Sequence, residues 1–386
     1  MCYNRVIHAE RGMFVSYQSL APKKERQSNL ELLRIIAMLC IVLHHSCVHS
    51  GFTQPIAMFS ISGVLLNMTV YLGDLGNSLF LLISGYFMVN TSFSLRRVLR
   101  VWAQMLFYSV GLTFVLWLCG ALEGQALTFR DVLRMFFPVS TQRYWFASTY
   151  VIFCLLAPFL NKLLHSIGEN GRKRFLLVLL VLFSLLPTFV QAYMPLGSLD
   201  KFVFLYSVGA YLRLNPAPRL LSSRRRCFAV GGGTLLLLIA FIAVCLALGQ
   251  RFWRFNYYAT FFMGEFAPPI LLASVGLFMG FKDLNIRPSR VVNAVASTAF
   301  GVYLIHDHEL VRQWLWKGVV HTQDYANTPW IIPYMLLCTV AVFIACMLID
   351  LARQRFIEPL YMRLIDRVPP VRRELEKAQE RCKAKT

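Results

Sequence analysis

Charge is what this 386-residue chain has least of: 15% of its residues are Asp, Glu, Lys or Arg, against about 25% in an ordinary soluble domain. The scarcity falls mostly on acids, with 19 Asp and Glu beside 39 Lys and Arg. Familiar fingerprints are missing too. No GxxxxGK[ST] loop, GxGxxG turn, HExxH helix or GxSxG elbow occurs, so an ATPase, a dinucleotide enzyme, a zincin and a typical hydrolase have no support. The ten cysteines are scattered singly, without a CxxC pair, and read as packing residues rather than as a disulfide frame or a metal knot. No internal repeat suggests an inverted-repeat transporter. No basic face interleaved with exposed aromatics suggests nucleic-acid binding. No small-residue cleavage site follows the first apolar run, so that run reads as an anchor and not as a removable signal.

What the chain has in abundance is apolar length. Hydrophobic residues make up 57% and the mean hydropathy is +0.55. Runs of roughly 20 apolar residues, enough at 1.5 Å per residue to cross a hydrocarbon layer about 30 Å thick, recur along the chain. Lipid offers no partner for a bare peptide group, so such runs must be helices. The sequence predicts an all-α, polytopic membrane bundle of about ten spans: 30–49, 61–90, 101–121, 144–165, 174–194, 200–214, 227–248, 256–280, 292–316 and 330–351. The second is expected to be tilted or broken at Gly73 and Gly76. Basic runs such as "PKKER", "RRVLR", "RKR" and "SRRR" fall on alternate connections, which places both termini in the cytoplasm by the positive-inside rule. The expected division is a cytoplasmic N-terminal segment over 1–28, a transmembrane domain over 29–361 and a short cytoplasmic tail over 362–386.

Ionisable groups at membrane depth are costly and by default line a cavity or pathway. In span one, "ELLRIIAMLCIVLHHSC" carries Arg34 near its start and His44 and His45 near its far end. Eleven residues separate Arg34 from His45, close to three whole turns, so the two lie within about 20° of one face and roughly 16 Å apart along the axis. His44 points about 80° away. One face thus bears a cation at the cytoplasmic edge and an imidazole expected near mid-membrane. That layout suits an elongated anion entering from the cytoplasm, such as an acyl-coenzyme A. His45 would then serve as a general base for an acceptor hydroxyl, since imidazole changes charge near neutrality; the competing reading is a helix-packing hydrogen bond.

Four pieces in order, "LRIIAMLCIVLHH", "LFLLISGYFMVN" followed by "RRVLR", "YWFASTYVIFCLLAPFLN" and "STAFGVYLIH", resemble the membrane acyltransferase family called acyltransferase 3. Its members acylate sugars of bacterial surface polysaccharides, peptidoglycan and related glycans. The resemblance runs from about Asn29 to Tyr361. It implies an O-acyltransferase of the bacterial cytoplasmic (inner) membrane, with catalytic His45 and Arg34 and with acyl-coenzyme A, acetyl-coenzyme A foremost, as co-substrate and no resident cofactor. The acceptor would be a glycan or lipid-linked saccharide. Ser84, Arg97 and Arg100 would contribute to the coenzyme A site, although Ser84 and Gly85 also read as a small-residue packing seam.

Further residues stay open between two readings. Trp145 is either an interfacial belt residue or a stacking surface for a sugar. His306 is an active-site wall or a structural hydrogen bond. Glu265, placed about nine residues inside span eight with Pro268 and Pro269 breaking the ladder beyond it, orients a histidine, binds sugar hydroxyls or bonds a neighbouring helix. Asp74 lines an acceptor mouth or marks a helix break, and the Asp307–Glu309 stretch is expected to face the acceptor. His306 and His308 point about 200° apart on one helix, so no metal site is expected. The alternative function is an exporter or flippase for polysaccharide intermediates, in which these groups merely line a path.

Overall fold

The computed structural model describes residues 26–52, 59–120, 128–190 and 198–383; of the N-terminal segment expected over 1–28, residues 1–25 lie outside the described residues. Among the described residues every regular element is helical. In chain order the α-helices are α1 (Ser28–Val48), α2 (Ile61–Met88), α3 (Leu95–Leu118), α4 (Phe129–Phe136), α5 (Trp145–Ser166), α6 (Gly168–Leu180), α7 (Leu199–Leu214), α8 (Arg224–Gly249), α9 (Arg254–Tyr258), α10 (Pro268–Lys282), α11 (Arg290–Ser297), α12 (Ala299–His306), α13 (Glu309–Gln313), α14 (Ile331–Ala352), α15 (Glu358–Asp366) and α16 (Pro369–Lys383). π-helical stretches extend α6 through Val190 and join α14 to α15.

Seven of these helices or continuous helical runs are long and apolar enough to cross a membrane, and α10 is a shorter apolar helix. Their outward faces carry bare Phe159, Leu177, Leu236, Leu237, Leu337 and Phe356, a surface that only an apolar solvent tolerates. α2 is the central post: its most apolar window is 67% buried, against 22% for the peripheral run Gly168–Val190. Small residues let it be central, because packing in lipid depends on close backbone approach. A Cβ on Gly85 would sit 2.1 Å from the Tyr206 carbonyl oxygen of α7, and one on Gly209 of α7 would sit 2.3 Å from the Leu82 carbonyl oxygen of α2. The small-residue seam expected at Ser84 and Gly85 is therefore half of a reciprocal contact.

Serine caps start α3, α8 and α11, where Ser94, Ser223 and Ser289 accept from the amides of Arg97, Arg226 and Val292. These starts, the start of α1 and the ends of α2, α7 and α10 gather at one end of the bundle: Asn29 donates to the Lys282 carbonyl, Arg213 to the Tyr86 hydroxyl and Arg96 to Asp366. We call this the basic end.

Three expectations are corrected. α2 runs unbroken through Gly73 and Gly76, which serve instead as contact points for α1, with the His44 ring over Gly73 and the Ala37 carbonyl over Gly76. The single span expected over 292–316 is broken into α11, α12, α13 and a π-turn, with Asp307 ending α12. Span eight is likewise divided: α9 ends at Tyr258, and Pro268 and Pro269 occupy the first positions of α10, where a missing amide costs nothing. Glu265 therefore lies in an irregular segment and not inside a helix.

Candidate functional site

The last turn of α1 holds His44 and His45, and His49 caps its end. His45 is thus one turn from the far end of the helix, beyond the mid-span depth expected of it. Across from it, α12 delivers His306, fully buried, and Asp307, 5% exposed. The His306 Nδ1 lies 2.6 Å from the Val302 carbonyl oxygen, and its Nε2 lies 2.9 Å from His45 Nδ1. A carbonyl can only accept, so His306 Nδ1 carries the proton and donates it; neutral His306 then has its lone pair on Nε2. It follows that His45 Nδ1 is the donor in the second bond and that the free lone pair of His45 is on Nε2. Val302 thereby sets two tautomers in series. Asp307 Oδ1 stands 3.9 Å from His45 Nδ1, 3.5 Å from His49 Nε2 and 3.7 Å from Arg312 Nη1, placed to favour a cationic imidazole.

His45 lines a partly enclosed polar cavity of about 120 Å³ together with His44, Asp74, Asn77, Trp145, Glu265 and Tyr303. Four residues singled out in the sequence, from α1, α2, α5 and the segment before α10, therefore meet in one space. Asp74 Oδ2 accepts from the Gly264 amide at 2.7 Å. Glu265 pairs with Lys201 of α7 at 2.8 Å and reaches Asn77 at 3.4 Å, while Ser78 donates to its carbonyl. Lys201 also sits 5.4 Å from the centre of the Trp145 ring. Trp145 faces this cavity and is not an isolated belt residue. His44, whose helical angle turns it from the Arg34 face, still reaches the cavity by lying across Gly73.

A second cavity, about 170 Å³, opens at the basic end between α2, α3 and α5, lined by Arg97, Val101, Tyr150, Cys154 and Asn161 among others. Arg97 donates to the Ser92 carbonyl beside it. Tyr150 lies by Ser84 and within electrostatic reach of Arg34. The two cavities share no lining residue, but Trp145 and Tyr150 are five residues apart on α5, an axial rise of about 7.5 Å. Arg34 pairs with Glu31 at 2.6 Å, and Ser84 donates to the Phe80 carbonyl at 2.8 Å. Arg100 is not brought to the cavity: it pairs with Glu358 of α15 at 2.5 Å. Glu309 turns to Arg134, at 3.0 Å, while its neighbour Asp307 faces the histidines.

Sequence reasoning missed Lys201, His49 and Tyr303. Lys201 carried a usable signal, an ammonium in the apolar run of span six, and so did His49, four residues beyond His45 and on its face; Tyr303 of α12 meets the cavity only through packing between helices.

The fold and this site define a class: a multi-pass, all-helical membrane protein with an imidazole pair and a carboxylate beside a polar cavity. Residues 27–350 match the model of the acyltransferase 3 family, described as an acyltransferase domain, and the chain belongs to that family. No curated protein and no solved structure matches the chain.

Proposed function

We propose that this membrane acyltransferase moves an acyl group, acetyl in the first instance, from cytoplasmic acyl-coenzyme A to a hydroxyl of a cell-surface or lipid-linked glycan. The observation that carries the reading is the relay Val302–His306–His45, which leaves a lone pair on an imidazole lining a cavity with two carboxylates, an amide and an indole. Carboxylates and amides bond sugar hydroxyls, and an indole offers the flat apolar face on which a sugar ring stacks.

In this reading the basic end faces the bacterial cytoplasm. α7, α10 and the broken α11–α13 segment complete ten crossings, with both termini inside. The coenzyme A phosphates rest near Arg97 and Arg34, and the pantetheine arm follows α5 from Tyr150 towards Trp145. The acceptor hydroxyl loses its proton to His45 Nε2 as its oxygen attacks the thioester carbonyl. Asp307 favours the imidazolium so formed, and the buried Tyr303 phenol serves the carbonyl oxygen as it gains charge. Collapse breaks the C–S bond, and the imidazolium returns its proton to the departing thiolate. No covalent intermediate on the enzyme is required.

The test uses purified full-length protein with radiolabelled acetyl-coenzyme A and a glycan acceptor. His45→Ala lowers label transfer and free thiol release by roughly 10²–10⁴-fold, while His44→Ala, outside the relay, keeps much of both. An exporter would move acceptor across vesicles without consuming thioester, and that outcome would replace this reading.

A further inference from the structure

The histidines at the end of α1 have a second chemistry available. His45 and His49 are four residues apart and so share a face, and Asp307 closes on them from α12. One ligand atom from each lies within 4.8 Å of the others. The three come from two helices, so the His306–His308 stretch by itself does not hold the set. Two of the atoms remain available: among the described residues, His49 Nε2 and Asp307 Oδ1 are buried and complete no hydrogen bond. Asp307 Oδ1 stands in ion-pair range of His49 at 3.5 Å and of Arg312 at 3.7 Å, but neither it nor His49 Nε2 is locked into a hydrogen bond among the described residues, so both can turn to an ion.

We propose that His45 Nδ1, His49 Nε2 and Asp307 Oδ1 form an inhibitory site for a divalent transition-metal ion, zinc above all. Two imidazoles and a carboxylate are a donor set suited to zinc, and ligands held about 2.1 Å from a tetrahedral ion stand roughly 3.4 Å apart. The separations from Asp307 Oδ1, 3.5 and 3.9 Å, are already near that. His306 Nε2, 2.9 Å from His45 Nδ1, offers a fourth lone pair, with its other nitrogen already bonded to a carbonyl as bound imidazoles usually are. Arg312, 3.7 Å from Asp307 Oδ1 and one-third exposed, must swing aside and is the competitor the ion displaces.

Inhibition follows from the tautomer, and this part rests on the acyl-transfer reading above. To ligate through Nδ1, neutral His45 moves its proton to Nε2. The nitrogen that would accept the acceptor's proton is then already protonated. The metal thus occupies one face of the base and silences the other.

The experiment titrates zinc chloride into metal-stripped full-length protein, measuring binding by calorimetry in the absence of acyl-coenzyme A, and separately follows acetyl transfer. Wild type binds one zinc per chain and loses transfer over the same concentration range. His49→Ala, with His49→Gln as a fold-preserving control of similar size, binds at least roughly tenfold more weakly, and whatever transfer it retains becomes insensitive to zinc at that concentration. Arg312→Ala binds more tightly. Equal binding by wild type and both His49 variants, or no binding by any, overturns the site; binding at the site that leaves transfer unchanged or raises it overturns the inhibition. A wild type that binds zinc as expected yet shows no transfer under any condition removes the acyl-transfer reading, and with it the inhibition, and leaves the metal site standing.

Discussion

Two buried polar clusters lie on either side of α12, and they differ in how completely they are satisfied. On one side is Asp350 of α14, with no exposed surface. Its Oδ1 accepts from Tyr108 at 2.7 Å, Gln104 at 3.2 Å and Arg353 Nε at 2.7 Å, and its Oδ2 from Gln354 at 2.8 Å. Arg353 in turn bonds Glu358 and the Tyr361 hydroxyl. On the other side are His44, His45, His49, His306 and Asp307, where His44 Nδ1, His49 Nε2 and Asp307 Oδ1 complete no hydrogen bond among the described residues and a cavity adjoins. Both clusters place charge inside an apolar bundle. Only one leaves lone pairs for a visitor. An ionisable residue at membrane depth is therefore not by itself a sign of chemistry: Asp350 is a rivet between α3, α14 and α15, and unspent hydrogen-bonding valence beside a cavity separates the other cluster from it.

The sharpest way to break that comparison is to remove one residue from each side. His45→Ala is expected to cost roughly 10²–10⁴-fold in transfer rate, the usual contribution of a positioned base, while the thermal unfolding midpoint in detergent stays near that of wild type. Asp350→Ala is expected to do the reverse. It takes the acceptor from the Tyr108, Gln104 and Gln354 donors and leaves Glu358 as the carboxylate partner of the Arg353 guanidinium, at a cost of about 1–3 kcal/mol for each buried donor left unsatisfied. That appears as lower yield and a lower unfolding midpoint, with turnover per folded molecule close to normal. If the Asp350 variant were instead stable but inactive, the division between rivet and site would be wrong.

Gly301 couples the two. Its α-carbon faces Asp350 so closely that an added Cβ would stand 2.0 Å from Oδ1. The carboxylate is pinned by its donors and cannot retreat, so Gly301→Ala must displace α12, which carries His306. An overpacking cost of about 1–3 kcal/mol is expected, accompanied by a fall in transfer larger than the unfolded fraction explains. Assays normalised to folded protein measure that excess, and its absence would show that α12 tolerates movement without losing the relay.

The contrast also marks what the amino-acid order could disclose. Apolar length alone identified the long helices, because lipid leaves the backbone no alternative, and six of the first seven predicted spans match helices long and apolar enough to cross, span six being the 16-residue α7. Breaks were harder. Pro268–Pro269 reads equally as an interruption or a start, and only the structure, with α9 ending at Tyr258, decides for a start. "YLIHDHE" reads as continuous helix, yet α12 stops at His306 and turns Asp307 towards α1, a consequence of packing between helices far apart in the chain. For the same reason helical angles separated His44 from His45, whereas the absence of a side chain at Gly73 lets both reach one cavity. Periodicity locates side chains on their own helix; which neighbour receives them is long-range information.

The basic end repeats the comparison on a smaller scale, in two arginines one turn apart on α3. Arg97 lines the cavity and, among the described residues, its guanidinium is held by the Ser92 carbonyl alone, so most of its hydrogen-bonding capacity remains available. Arg100 is paired with Glu358, which also receives Arg353, and so belongs to the satisfied network. Arg97→Ala is accordingly expected to raise the KM for acyl-coenzyme A several-fold, with kcat and the unfolding midpoint little changed. Arg100→Ala should leave that KM alone and lower the unfolding midpoint slightly, as the loss of a half-exposed ion pair does. Steady-state kinetics with acyl-coenzyme A varied at saturating acceptor separate the two. A KM that rises equally in both variants would mean that the donor's phosphates meet this face through diffuse positive charge, and the cavity lined by Arg97 would lose its claim to be the donor's entrance.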